Sequence, residues 1–411
     1  MRESLQRARI ATIFLFFANG LALSSLTPRL ADLQGQLNMT DISLGLVLSA
    51  AAAGGLLLGP LAAPGIRRFG SGPFSIFCLF TMLPLLPLVG IAPTALTLAL
   101  VMFGIGAADA VMDAAQNAHG LEVQRGYKRS IINNMHAFWA LGTVVGASIG
   151  ALTLALNFSL AWTLTGVAVA SLIGALITFR WLLPKSSASV QGGELEDELA
   201  AEIAHDHMTH IDPGSVAPIE GVSKWKLPRV TSLALLALGV LITMAVIVED
   251  VPARWSSVYL TDTGSAAGFA GFGVVAFTVS LTIGRFLGDS FVNRFGERTV
   301  AQVSMAIVSL ALAIALISGS QMGFILACAV VGFGVATIFP AAMHAATYIP
   351  GISAGTAITI ISWMSRAGFT FTPLLVGIIS EYLGIKWGIG IAVFAALLII
   401  PLARFLRTKS G

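Results

Sequence analysis

Apolar residues recur along this chain in runs of about 20, the length of helix needed to cross a bilayer's hydrocarbon core. Twelve such runs can be traced, over 10–30, 43–64, 74–92, 95–119, 131–157, 160–183, 229–251, 269–291, 299–318, 322–345, 354–380 and 387–405. Backbone polar groups inside lipid must be satisfied within the segment, so each run predicts a membrane-spanning helix. Only one polar stretch is long, Pro184 to Pro228, and it divides the spans six and six. The expected organisation is an all-α membrane protein with an N-terminal bundle over 1–183, a cytoplasmic linker over 184–228 and a C-terminal bundle over 229–411.

Composition agrees. Of 411 residues 56% are hydrophobic and 10% charged, and the mean hydropathy is +0.88. A soluble domain carries roughly a quarter charged residues, so most of this surface must face lipid. The net charge of +3 does not point to nucleic acid, because the basic residues form no stripe. They sit instead in alternate interhelical segments: Arg2, Arg7 and Arg9; Arg67 and Arg68; Arg125, Lys128 and Arg129; Arg180 to Arg229; Arg294 and Arg298; Arg404 to Lys409. The opposite segments hold only Arg29, Arg254 and Lys386. That asymmetry places both termini in the cytoplasm of an inner-membrane protein.

The first apolar run is long for a signal sequence and reads as an uncleaved span. Cys78 and Cys328 fall toward opposite faces, which excludes a disulfide between them. His205, Asp206, His207 and His210 offer metal-ligand chemistry in the linker, against which stands the simpler reading of a solvated connector; no metal is expected. No glycine-rich phosphate loop occurs, so neither a cofactor nor nucleotide drive is expected.

The segment after the second span reads Arg67-Arg68-Phe69-Gly70, and that after the eighth Asn293-Arg294-Phe295-Gly296. The offset between these triplets also pairs Gly142 with Gly368. A duplicated six-span unit with a basic glycine turn after each second span resembles the major facilitator superfamily. The resemblance implies two pseudo-symmetric six-helix bundles and a substrate site between them at mid-membrane. It also implies that the turns, through Arg68 and Arg294, gate the cytoplasmic ends. The family's turn normally carries Asp before Arg-x-Gly, where this chain has Arg67 and Asn293; Arg285 and Asp289, one turn apart, are candidates to share that work, or form an ordinary i,i+4 pair. Asp109 to Asp113, Asn117 and Glu122, then His136 to Gly142, and Glu249 followed by Trp255 to Leu260, resemble bacterial permeases related to the fucose permease. The arginine and Gly-Pro of drug-exporting relatives are missing from Gly104-Ile105-Gly106-Ala107 and from the Gly142, Gly146, Gly150 series.

An ionisable group inside a span costs roughly 2.5–3.5 kcal/mol on insertion scales, so each should face the interior. Asp109 and Asp113 share a face of the fourth helix, with Asn117 a turn beyond. Two carboxylates so close are costly to keep charged together, which suits proton carriage. Glu249 is a second candidate carrier, before a Pro252 expected to break its helix, with Asp250 solvated in the following loop. His136 enters the fifth span at about the depth of Asp113, either as its partner or as a packing residue. Arg366, deep in the eleventh span with Trp363 one turn before it, either neutralises a carboxylate or holds an anionic solute. Asn19 and Trp139 complete the candidate substrate contacts; for Asn19 a helix–helix hydrogen bond is the alternative.

The expected function is secondary transport of a small polar or anionic solute, by alternating access in symport with protons, by a monomer in the lipid bilayer. Proton-coupled efflux and a transporter-like sensor are the alternatives. An enzyme is not expected, since no nucleophile–base or metal set accompanies His136.

Overall fold

The computed structural model describes residues 2–127, 131–183 and 229–406, and the regular elements among them are all helical. Eleven helical segments are long and apolar enough to cross a membrane: α1 (Ser4–Gln36), α2 (Asp41–Phe69), α3 (Ser71–Ile91), α4 (Ala95–Tyr127), α5 (Asn134–Ala155), α6 (Leu160–Trp181), α7 (Thr231–Asp262), α8 (Gly268–Phe295), α9 (Glu297–Ser318), α10 (Gln321–Ala346) and α12 (Ile385–Phe405). The remaining span, α11 (Ala354–Leu383), is a helix of 30 residues made more polar by Arg366 and several Ser and Thr. The sequence 184–228, with its histidines, lies outside the described residues.

Serine and threonine start several helices. The side chains of Thr40, Ser159, Ser320 and Ser353 accept from the N–H groups of Ser43, Trp162, Gly323 and Thr356. Each satisfies one of the donors that a helix start leaves open.

Helix pairing repeats across the two halves. α1 packs along α5 and α2 along α4; six spans later α7 packs along α11 and α8 along α10. Between the halves, α2 meets α11 and α5 meets α8, again a symmetric pair of contacts. Glycine makes the closest of these approaches possible. A Cβ on Gly142 would lie 2.2 Å from the Phe17 carbonyl oxygen, and one on Gly377 2.4 Å from that of Asp41. The Arg-Phe-Gly turns repeat as well. Gly70 (φ 86, ψ 151) and Gly296 (φ 82, ψ 150) share a conformation essentially reserved for glycine. Arg68 lies 5.3 Å over the Phe69 ring, and Arg294 5.3 Å over that of Phe295. The end of the molecule bearing these turns is called the basic face below, and the other the far face.

Three expectations need correction. Pro252 does not end its helix, because Arg229–Asp262 runs through it. Proline removes one helical hydrogen bond, and here Val251, Trp255 and Val258 are buried on both sides of it and keep the helix seated. Asp250 is therefore not in a solvated loop: it is 2% exposed and ion-paired with Arg254, one turn on. Arg29, expected on the outer side, does lie at the far face, and its side chain there is buried, 2% exposed. Its Nη2 donates to Asp32 at 2.7 Å and to the Phe158 carbonyl at 2.9 Å, tying the end of α1 to the α5–α6 connection. A buried guanidinium is tolerable when paired and hydrogen-bonded in this way. Finally, α4 continues to Tyr127, well past the expected end at residue 119.

Candidate functional site

In the N-terminal half, α1, α4 and α5 bring Asn19, Asp109 and Trp139 together. Asn19 is 4% exposed. Its Nδ2 donates to Asp109 Oδ1 at 2.6 Å, and its Oδ1 accepts from Trp139 Nε1 at 2.8 Å. An amide suits this position because it carries a donor and an acceptor on one rigid plane. The helix–helix bonds expected as the alternative for Asn19 are the ones present, and one of them ends on a candidate proton carrier. One turn toward the basic face, Asp113 is exposed and accepts from Gln116 Nε2 and Asn117 Nδ2, each at 3.2 Å.

The C-terminal half contributes the cations. Glu249 Oε1 lies 3.5 Å from Arg285 Nη2. The Arg285 guanidinium also sits 5.8 Å from the centre of the Trp139 ring on the other half, a cation–π contact across the divide. A continuous path thus runs from Glu249 through Arg285, Trp139 and Asn19 to Asp109. Arg366 of the other half and Asp113 both lie within electrostatic reach of the Asp109 carboxylate. The Arg366 side chain is exposed. Among the described residues no acid lies within ion-pair distance of it, and the carboxylate in its electrostatic reach is that of Asp109. Trp363, one helical turn earlier and 50% exposed, shares its side of α11.

Two expected pairings do not form. Arg285 turns to Glu249 and not to Asp289, which has no ion-pair partner among the described residues. An i,i+4 pair on an open helix surface contributes only about 0.3–0.5 kcal/mol, less than an acid in a membrane interior gains from a cation. His136 does not reach Asp113. Its ring meets Phe16 edge-on at 5.0 Å, so the packing reading of this histidine is the one realised.

Sequence reasoning missed three contacts. Glu381 of α11 accepts the backbone N–H groups of Asp41 (2.9 Å) and Ile42 (3.4 Å), capping α2 across the halves at the far face. Behind the first glycine turn, the Ser71 hydroxyl meets His119 Nδ1 at 3.0 Å and Glu122 Oε2 at 2.9 Å. Behind the second, Glu297 bonds His344 Nδ1. The triplet offset that pairs the turns also pairs Ser71 with Glu297, and that signal stood in the sequence. Among the described residues no cluster of His, Cys, Asp and Glu could hold a metal.

The Major Facilitator Superfamily profile matches residues 12–253 and 251–411. Membrane protein MosC of Rhizobium meliloti is 27% identical over 380 residues, 91% of this chain and 84% of that protein. A Yersinia pestis protein described as an uncharacterized MFS-type transporter is 25% identical over 402 residues, 96% of this chain and 95% of its own length. The crystal structure of the nucleoside transporter NupG superposes with a TM-score of 0.70 over 98% of this chain and 97% of its own, at 14% identity. Duplicated helix pairing, paired glycine turns and a polar path between the halves now have one explanation: the chain belongs to the major facilitator superfamily.

Proposed function

We propose that this transporter carries a small polar or anionic solute into the cell in symport with protons, with its basic face in the cytoplasm. The observation that carries the reading is the opposition of Asp109 and Arg366 across the two halves. The carboxylate is held by an uncharged amide and the guanidinium by no acid. A carboxylate in that setting can change its protonation without breaking an ion pair, which is what a proton carrier requires. A guanidinium facing the same space matches a solute carboxylate or phosphate in bidentate geometry. Trp363 offers the solute an apolar surface beside that cation.

Alternating access then links the two. The far ends of the halves are joined through Glu381 and the start of α2, so the site opens toward the cytoplasm in this state. Release of the proton and solute inward leaves Asp109 charged opposite Arg366, and that attraction favours the return of the empty carrier. Glu249 and Arg285 lie at the other end of this path, joined to it by an ion pair and a cation–π contact, and make the second half sensitive to the state of the first. Arg68 and Arg294, on the glycine turns, are the proposed contacts of the opposite state.

Uptake by proteoliposomes under an imposed inward pH gradient tests this. Asp109→Asn should abolish gradient-driven accumulation yet leave solute counterflow intact, because counterflow needs binding and rocking but no net proton movement. If Asp109→Asn and Asp113→Asn both accumulate solute like the parent, the proton-carrier role is wrong.

A further inference from the structure

Each half repeats the same arrangement on its lipid-facing flank: α2 and α3 both pack on α4, and α8 and α9 both pack on α10. In the first half the seam between the outer pair is plugged by Phe74, which is 8% exposed. A Cβ on Gly65 of α2 would lie only 2.1 Å from that ring, and Phe69 and Phe77 stack on it at 5.9 and 6.2 Å. Counted from the Arg-Phe-Gly turns, the positions of Phe74 and Phe77 are taken in the second half by Val300 and Val303. Without the plug the seam stays open. It forms an apolar groove of about 640 Å³ whose lining includes Gly288, Phe291, Val300, Val303, Val330 and Phe333.

Its length and its mouth identify an occupant. The lining extends along α8 from Gly284 to Phe295, a rise of roughly 16 Å. That is close to one leaflet's share of a hydrocarbon core about 30 Å thick. The groove ends at the basic face, where Phe295 and Thr299 line it and their neighbours Arg294 and Arg298 stand in sequence beside them. Arg404 lies on the turn Ala403–Phe405, which packs against α9. Of the acids near this end, Glu297 is engaged by His344, while Asp289 lies a turn and a half deeper along α8 than Phe295. A leaflet-deep apolar slot under a cationic mouth is complementary to one lipid class. We propose that the α8–α9–α10 groove is a binding site for an anionic phospholipid, with an acyl chain in the slot and the headgroup at Arg294 and Arg298.

Native mass spectrometry of the full chain released from nanodiscs of mixed phosphatidylglycerol and phosphatidylethanolamine tests the site. The parent should retain a phosphatidylglycerol adduct. Val300→Phe, which sets a ring at the position of Phe74 but beside Phe291 where the first half has Gly65, should reduce that adduct about tenfold, as expected for losing a few buried methylenes. Arg298→Ala should keep the fold and lower the phosphatidylglycerol to phosphatidylethanolamine ratio by about fivefold. The proposal is overturned if Val300→Phe holds as much lipid as the parent. It is equally overturned if Arg298→Ala leaves the headgroup ratio unchanged, or if the species lost in Val300→Phe is a dimer of the chain. Should Val300→Phe fail to fold, the Arg298→Ala ratio decides alone.

Discussion

The two halves share a helix plan but divide the chemistry of the central site unequally. On the N-terminal side the acid Asp109 is wired to neutral partners, Asn19 and through it Trp139. On the C-terminal side the acid Glu249 has a cation of its own, Arg285, while Arg366 has no ion pair among the described residues. By the offset that pairs the glycine turns, Asp109 corresponds to Val335, Glu249 to Leu23 and Arg366 to Ala140, so the duplicated helix plan carries its charged groups at non-equivalent positions. Under the proposed function one half holds the proton and the other the anion. An ion pair within one half would lock both functions together. With Asp109 on one half and the Arg366 cation on the other, their separation would change with any movement of the halves against each other.

Arg366 gives the largest effect by which that division can be broken. Arg366→Lys keeps the charge but loses the planar fork that matches a carboxylate or phosphate. Charge-assisted hydrogen bonds contribute about 1.5–3 kcal/mol each, so the solute concentration for half-maximal counterflow should rise by roughly 10- to 100-fold. The proton leak without solute should not change. If the lysine variant transports with the parent's affinity, the anion-holding half is elsewhere.

How much of this could be read from the sequence follows a physical line. Span number and the positions of ionisable residues are one-dimensional properties, because a helix in lipid must be long and apolar and its charges must turn inward. Asp109, Asn19, Glu249 and Arg366 were visible as polar or ionisable residues in apolar runs, and Trp139 as part of the stretch that carries the family resemblance. Which acid meets which cation was not, because that depends on the rotation of each helix about its axis. Arg285 has Asp289 one turn away in the chain, yet pairs with Glu249 from a different span. His136 stands near the depth of Asp113 but faces Phe16. Pro252 misled for another reason: a single lost hydrogen bond does not end a helix that buried neighbours hold on both sides, so Asp250 became interior.

A smaller effect sharpens the wiring of the first half. Trp139→Phe keeps a ring beneath Arg285 and removes only the N–H that Asn19 Oδ1 accepts. A buried acceptor left without its donor costs about 1–3 kcal/mol, and denaturant unfolding in detergent should show a loss in that range. Because Asn19 also serves Asp109, Asn19→Ala and Trp139→Phe share one network. Their combined loss should fall short of the sum by at least about 0.5 kcal/mol. Strict additivity would mean that the two halves of the amide act independently, and the path from Glu249 to Asp109 would be a coincidence of packing.

The smallest effect concerns what holds the halves together at the far face. Glu381 accepts the first N–H groups of α2 at 2.9 and 3.4 Å, where the helix dipole adds to the attraction of a negative acceptor. Its side chain is exposed, so solvent screens the interaction. Glu381→Gln retains a carbonyl acceptor and removes only the charge, a change of about 0.3–1 kcal/mol for a group at a helix terminus. That shifts a two-state equilibrium by roughly two- to fivefold. Spin labels at Gln36 and Lys386, both exposed on the far side, should report a longer-distance population increased by that factor in double electron–electron resonance. The glycine contacts of Gly45 on Pro373 and Gly377 on Asp41 remain in the variant. An unchanged distance distribution would therefore assign the closed far face to backbone packing alone, and a population moved well beyond fivefold would show that the carboxylate carries more of the closure than a screened terminal charge can.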